Sequence, residues 1–114
     1  MPKTYQSRLD RVFAVLSDPT RRSIISRLKE KDYTVMELAG HYDISFQAIS
    51  KHLALIEKAE LLVRERDGKH FICSYNAEPL DEAVFWIARN HSFWQQNFDA
   101  LQNFLDSKPP AKEK

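Results

Sequence analysis

The 114-residue sequence predicts a mostly α-helical domain carrying one small β-hairpin. Apolar residues recur at spacings of three and four along most of the chain, the period of helices that bury one face. One stretch, Leu62 to Tyr75, breaks that period: it is rich in Val, Phe, Ile and Tyr and is divided by Asp67-Gly68, a dipeptide suited to a tight hairpin turn. Separate capping signals at Asp18, Thr34 and Ser45 divide the helical part into several helices.

The first helix is expected over residues 4 to 17, with Tyr5, Leu9, Val12, Phe13 and Leu16 on its apolar face. Asp18-Pro19 restarts the chain as a second helix, Asp as N-cap and Pro at the first helical position, where its missing N–H costs nothing. That helix runs to about Glu30 and buries Ile24, Ile25 and Leu28. Arg21 and Arg22 lie in its first turn, where positive charge opposes the helix dipole, and we read them as structural ion pairs rather than phosphate contacts. Thr34 with Glu37 three positions on is a capping box opening a short helix with Met36, Leu38 and Ala39. Gly40 and Asp43-Ile44 end it.

Ser45 then caps a helix on which Ile49, Leu53 and Ile56 form a core stripe while Gln47, Lys51, Ala54 and Lys58 point the other way. Two short helices joined by a tight turn, the second with a polar outer face, make a helix-turn-helix. Gln47, Ser50 and Lys51 are the side-chain types that reach base edges from a major-groove helix: Gln pairs with adenine N6 and N7, Lys with guanine or phosphate, Ser with either. The strands are expected at Leu62 to Arg66 and His70 to Tyr75, joined across Asp67-Gly68.

From Pro79 to about residue 106 the pattern predicts one long helix, with Leu80, Val84, Ile87, His91, Trp94, Phe98, Leu101 and Leu105 as a heptad seam. Phe85, Trp86, Phe93 and Phe104 lie outside it, giving more apolar surface than one small protomer covers. A second copy is the economical partner, with the first and last helices of two chains, Leu9 included, forming an isologous interface. Residues 107–114 are expected to be a flexible polar tail, so residues 1–106 make one domain whose last helix is about 79–106.

Composition fits one globular domain, at 43% hydrophobic and 29% charged residues. The net charge of +1 is unevenly spread: 13 basic against 10 acidic side chains up to residue 76, and 4 against 6 beyond, consistent with a basic surface on the front part. No apolar run approaches a membrane span and no secretory-type leader opens the chain, so no membrane partner is expected and the location is expected to be cytoplasmic. The single cysteine, Cys73, precludes an internal disulfide.

Asp18-Pro19-Thr20-Arg21-Arg22, Val35-Met36-Glu37-Leu38-Ala39, Ser45 with Ile49-Ser50-Lys51-His52-Leu53, and Arg66-Asp67-Gly68-Lys69 together resemble the ArsR-type (ArsR/SmtB) winged helix-turn-helix regulators, from about residue 8 to residue 76. The resemblance implies a homodimer that binds double-stranded operator DNA and represses transcription. The expected DNA-binding residues are Gln47, Ser50 and Lys51 at base edges, Ser45, Thr34 and His52 for backbone positioning, and Arg66, Lys69 and His70 at the hairpin turn. Dimerisation is expected through Leu9, Val84, Ile87, His91, Trp94, Phe98, Leu101 and Leu105. His52 lies about 60° from the core axis of its helix, so periodicity allows either a packing or a DNA-side role, and the resemblance implies the second. Members of the family usually carry Gly where this chain has Glu60; Glu pays for a left-handed conformation that Gly adopts freely, so the entry to the hairpin is expected to be shaped differently here.

Metal-sensing members often hold the metal through cysteines in the helix before the recognition helix or through His and acidic residues in the last helix, whereas Val35 to Tyr42 contains no cysteine here. His91 has no ligand-spaced partner, Glu82 and Asp99 lying nine and eight residues away, so neither metal nor cofactor is expected. Cys73, on the second strand with Phe71 and Tyr75, reads first as a small buried hydrophobe. A redox-active thiolate would need exposure and a cation such as Arg66, Lys69 or His70. The sequence holds no nucleophile–base constellation, so no enzymatic activity is expected. Two rival functions are compatible with the sequence: a protein-interaction module using the aromatic last helix, and a DNA-binding sensor switched at Cys73 or by a small apolar ligand.

Overall fold

In the computed structural model, residues 3–91 and 93–107 are described, with side chains at 7–91 and 98–107. The elements follow as α1 (Lys3–Leu16), α2 (Pro19–Glu30), β1 (Tyr33–Thr34), α3 (Val35–Ala39), α4 (Phe46–Lys58), β2 (Leu62–Asp67), β3 (His70–Tyr75), α5 (Glu78–Arg89) and α6 (Phe93–Ser107). Two compact units result, the first ending at Ala83 and the second beginning at Val84. This is a mostly helical winged helix-turn-helix with a small antiparallel sheet, the expected class. No described helix is long and apolar enough to cross a membrane.

The core of the first unit is built from one stripe per helix. Leu9, Val12 and Val15 of α1 meet Ile24, Ile25 and Leu28 of α2 and Ile49, Leu53 and Ile56 of α4. Two details of α1 differ from expectation: Val15 completes the buried stripe, and Phe13 is 37% exposed. The Tyr5 side chain lies outside those described. Asp18 caps α2 as expected, its carboxylate accepting from Arg21 N–H at 3.0 Å. Arg21 and Arg22, however, cap α1. Arg21 donates to the carbonyls of Val15 (3.2 Å) and Ala14 (2.9 Å), and Arg22 to that of Leu16 (2.6 Å). Carbonyls at a helix C-terminus lack partners and carry partial negative charge, so they take the cations that ion pairs were expected to hold.

The sheet has three strands, not two, in the order β1-β3-β2. Tyr33 and Thr34 pair with Cys73 and Ile72 in a two-residue strand too short to show a period. In the hairpin Asp67 pairs with His70, so the turn residues are Gly68-Lys69 rather than Asp67-Gly68. Gly68 has φ +66° and no other residue of the turn has positive φ, the sign pattern of a II′ turn, which wants Gly first.

The expected long terminal helix is two helices. α5 stops at Arg89, where Asn90 N–H bonds back to Trp86 and Ile87 carbonyls and the Asn90 side-chain amide to Trp86 O at 2.9 Å. Asn90, His91 and Ser92 are a run of poor helix formers, two of which compete for backbone hydrogen bonds, and they outweigh the heptad spacing. Ser107 belongs to α6, its hydroxyl donating to Phe104 O, so the helix ends one residue later than expected. The rest of the expected tail lies outside the described residues.

Candidate nucleic-acid interface

α4 is anchored from below and presents a face above. Ile49, Leu53 and Ile56 are fully buried, Gln47, Lys51, Ala54 and Lys58 are exposed, and Ser50 is half-buried between the two sides. The helix starts where Ser45, extended at φ −66° and ψ 157°, accepts Ala48 N–H at 3.1 Å. The cap uses an oxygen lone pair, and the hydroxyl proton stays able to donate to an anion. Thr34 is placed the same way: its Oγ accepts from Glu37 N–H (3.0 Å) while its own N–H donates to the Glu37 carboxylate (2.9 Å).

The turn between α3 and α4 is tied to α2 through Tyr42. Its hydroxyl meets Ser23 Oγ at 2.8 Å and accepts from Arg27 Nε at 3.2 Å, and the Arg27 guanidinium also lies 5.6 Å from its ring centre. Tyr42 is not among the sequence candidates, because neither spacing nor charge sets it apart along the chain. It holds the turn against α2, and an aromatic residue with a hydroxyl inside a helix-turn-helix turn is the trace of this in the sequence.

Hairpin and helices close around one open cleft of about 270 Å³, lined by Thr34, Val35, Met36, Phe46, Ser50, Arg64, Lys69, His70 and Phe71. Four expected DNA-binding residues, Thr34, Ser50, Lys69 and His70, thus share a single depression, with Gln47 next to Phe46 on α4. Arg66 is exposed at the hairpin, where its Nε donates to Gly68 O at 3.1 Å and its guanidinium lies 5.6 Å from the centre of the Phe71 ring. Arg64 is held by Glu57 at 3.1 Å, so its charge is partly neutralised within the fold.

His52 departs from the set. Its Nδ1 lies 3.1 Å from Arg21 Nη1 and 4.0 Å from Asp18 Oδ2, at the junction of α1, α2 and α4, and away from the cleft. A guanidinium only donates, so Nδ1 is the acceptor and the ring proton sits on Nε2. The expected DNA-side role is therefore replaced by a structural one: of the two roles periodicity allowed, packing won. At Asp18 the Arg21 N–H holds the carboxylate below its ordinary range against the opposing pull of burial, helped by the Arg21 charge.

Cys73 of β3 is fully buried, and burial pushes its thiol up despite the nearby Arg64 charge. Among the described residues no three His, Cys, Asp or Glu side chains converge on a point. His41 instead lies edge-on to Tyr33, ring centres 5.7 Å apart.

Of the residues expected at a dimer interface, Leu9 is only 6% exposed and belongs to the protomer core. Its helix spacing fits both roles, and packing against α2 and α4 claims it. Val84, Ile87, Phe98, Leu101 and Leu105 are each about half exposed. His91 lies in the break between α5 and α6, outside any helix, and the Trp94 side chain is outside those described.

Known proteins resemble this arrangement at several levels. The family model described as "Bacterial regulatory protein, arsR family" matches residues 18–63, which run from the α2 cap into β2. The transcriptional repressor SdpR of Bacillus subtilis is 37% identical over 79 residues, spanning 69% of this chain and 88% of the relative. The HTH-type transcriptional regulator Rv2034 of Mycobacterium tuberculosis is 30% identical over 105 residues, spanning 92% and 94%. Among solved structures, an ArsR-like transcriptional regulator from Rhodococcus sp. RHA1 superposes with a TM-score of 0.72 at 27% identity, covering 96% of this chain and all of that one.

Proposed function

The chain belongs to the arsR family of bacterial regulatory proteins and is a DNA-binding transcriptional regulator, and from that premise we propose that it represses transcription as a homodimer, without a metal, on an inverted-repeat operator. The observation that carries the DNA surface is the cleft that gathers Thr34, Ser50, Lys69 and His70 beside the exposed face of α4. Gln47, Ser50 and Lys51 read base edges from the first half of α4. Ser45 and Thr34 position the backbone with hydroxyl protons their caps leave available, and Lys69, His70 and Arg66 reach phosphates from the hairpin. Repression is supported by the named role of SdpR. Homodimerisation is supported by the exposed apolar side chains of α5 and α6, and a two-fold dimer calls for half-sites about 10 bp apart or a multiple of it.

Metal independence is supported by the absence of cysteine from Val35 to Tyr42 and by the engagement of His41 and His52 within the fold. The burial of Cys73 weighs against a thiol switch. A regulator that acts on the chromosome works in the cytoplasm, and no catalytic role is proposed for any residue.

The test separates readout from positioning. Gln47→Ala removes a sequence-dependent contact and no charge, so it should cost about 1–3 kcal/mol on the operator and little on random DNA. Lys69→Ala removes only charge, so it should weaken both DNAs alike and lower the salt slope by about one unit per site. Equal losses for Gln47→Ala on both DNAs would remove it from the readers. Wild-type affinity insensitive to salt would overturn DNA binding through this face, and a tenfold change on adding stoichiometric zinc would overturn metal independence.

A further inference from the structure

We propose that Phe46 is a specificity-determining residue of this interface, packing its ring on the 5-methyl group of a thymine in the operator; the proposal rests on the DNA-binding reading above. Phe46 is the first residue of α4, and its ring is 51% exposed. The Ser45 cap needs only the backbone at that position, so the fold does not call for an aromatic there. Phe46 and Ser50, one helical turn apart, line the same cleft, and Met36 (65% exposed) and Phe71 (42% exposed) line it with them. Three apolar side chains therefore stand open to water in the midst of the hydroxyl and cationic groups expected to meet DNA.

The major groove offers one apolar group to such a surface, the thymine 5-methyl. Ser50 in the same cleft can donate to thymine O4, Gln47 beside Phe46 can pair with adenine N6 and N7, and Lys69 and His70 line the cleft with the charge a phosphate strand wants. A small apolar ligand is the competing occupant. The depression is open and, at about 270 Å³, falls below the size of most small-molecule pockets, and it shares its lining with the DNA-facing residues.

The experiment first selects a tight-binding sequence from a random duplex pool with the wild-type protein, then replaces each thymine singly by deoxyuridine, which removes the methyl and nothing else. Wild type should lose about fourfold at one or more thymines, the scale of one methyl group leaving an apolar contact. Phe46→Ala should bind the thymine and deoxyuridine duplexes equally at that position, with its salt slope and random-DNA affinity unchanged, and Phe46→Leu should recover part of the discrimination. Wild type indifferent to every replacement, or Phe46→Ala discriminating as wild type does, overturns the proposal while leaving DNA binding intact. A pool that enriches no sequence overturns the DNA-binding reading itself, and this proposal with it.

Discussion

Glu60 holds φ at +66°, a left-handed conformation that costs a residue with a β-carbon and not glycine. The position is imposed by the end of α4: Glu60 N–H reaches Glu57 O at 2.8 Å and Leu61 N–H reaches Ile56 O at 3.2 Å, the paired bonds of a Schellman ending. Neighbours partly offset the strain. Asn76 donates to Glu60 O at 2.9 Å, and Arg8 reaches the Glu60 carboxylate at 3.2 Å while also facing Glu78 and Glu82. Because the Glu60 side chain is exposed, that ion pair is worth little, and Glu60→Gly should stabilise the protein by about 0.5–1 kcal/mol. The check is a higher urea midpoint with an unchanged slope; a lower midpoint would mean that the Arg8 network outweighs the backbone. Cys73 makes a second residue-scale prediction. Its thiol is raised by burial, so its contribution to stability is present below the ordinary thiol range and is lost as pH rises through the raised value. In the native protein at neutral pH a thiol reagent should label Cys73 only as fast as the fold opens, and labelling as fast as in urea would reinstate the thiol switch.

The junction of α1, α2 and α4 is settled between elements. Asp18 caps α2, Arg21 closes the end of α1, and His52 from α4 accepts from Arg21, so one cluster fixes the recognition helix against the two helices before it. His52→Ala should therefore lower stability by about 1 kcal/mol, a lost hydrogen bond from a part-buried cation, and leave the salt slope of DNA binding unchanged. A reduced slope with unchanged stability would return His52 to the DNA side. Asp18 works in the opposite direction with pH: its carboxylate is held below the ordinary range, so its contribution is present above about pH 4 and is lost as pH falls through the lowered value. Asp18→Asn keeps a capping oxygen without the charge, so its acid unfolding should be less steep than that of wild type.

At the scale of the whole molecule, half of the exposed large apolar side chains among the described residues fall in the second unit, the shorter of the two. Val84, Phe85 and Ile87 of α5 and Leu101 and Leu105 of α6 are each about half exposed, apolar side chains that a partner could cover. Leu101→Glu should leave each protomer folded, because the side chain is not part of its core, yet shift sedimentation at micromolar concentration toward monomer. Operator affinity should fall with it, since one protein then no longer spans both half-sites. A wild type that sediments as a monomer at that concentration would end the dimer reading and the paired half-sites together.

Local chemistry alone determined much of this protein. The capping oxygens of Asp18, Thr34 and Ser45 each start a helix where their sequence places them, and the stripe Ile49, Leu53, Ile56 orients α4 because burial follows a fixed 100° advance. Glu60 was legible as a costly position only through the family resemblance, which puts Gly there, and the structure gives the physical reason in its positive φ. What tertiary structure decided are the cases where one local pattern serves two outcomes. Leu9 fits a core or a partner by spacing alone, and contact with α2 and α4 gives it to the core. His52 sits at an angle compatible with DNA or with packing, and Arg21, thirty-one residues earlier, takes it. β1 is two residues long, too few for any period, and exists only because β3 offers an edge to pair with. The cleft, too, is a product of assembly: Thr34, the first turn of α4 with Phe46 and Ser50, and Lys69 lie far apart in sequence, and only the hairpin folding back beside α4 brings their chemistry to one surface.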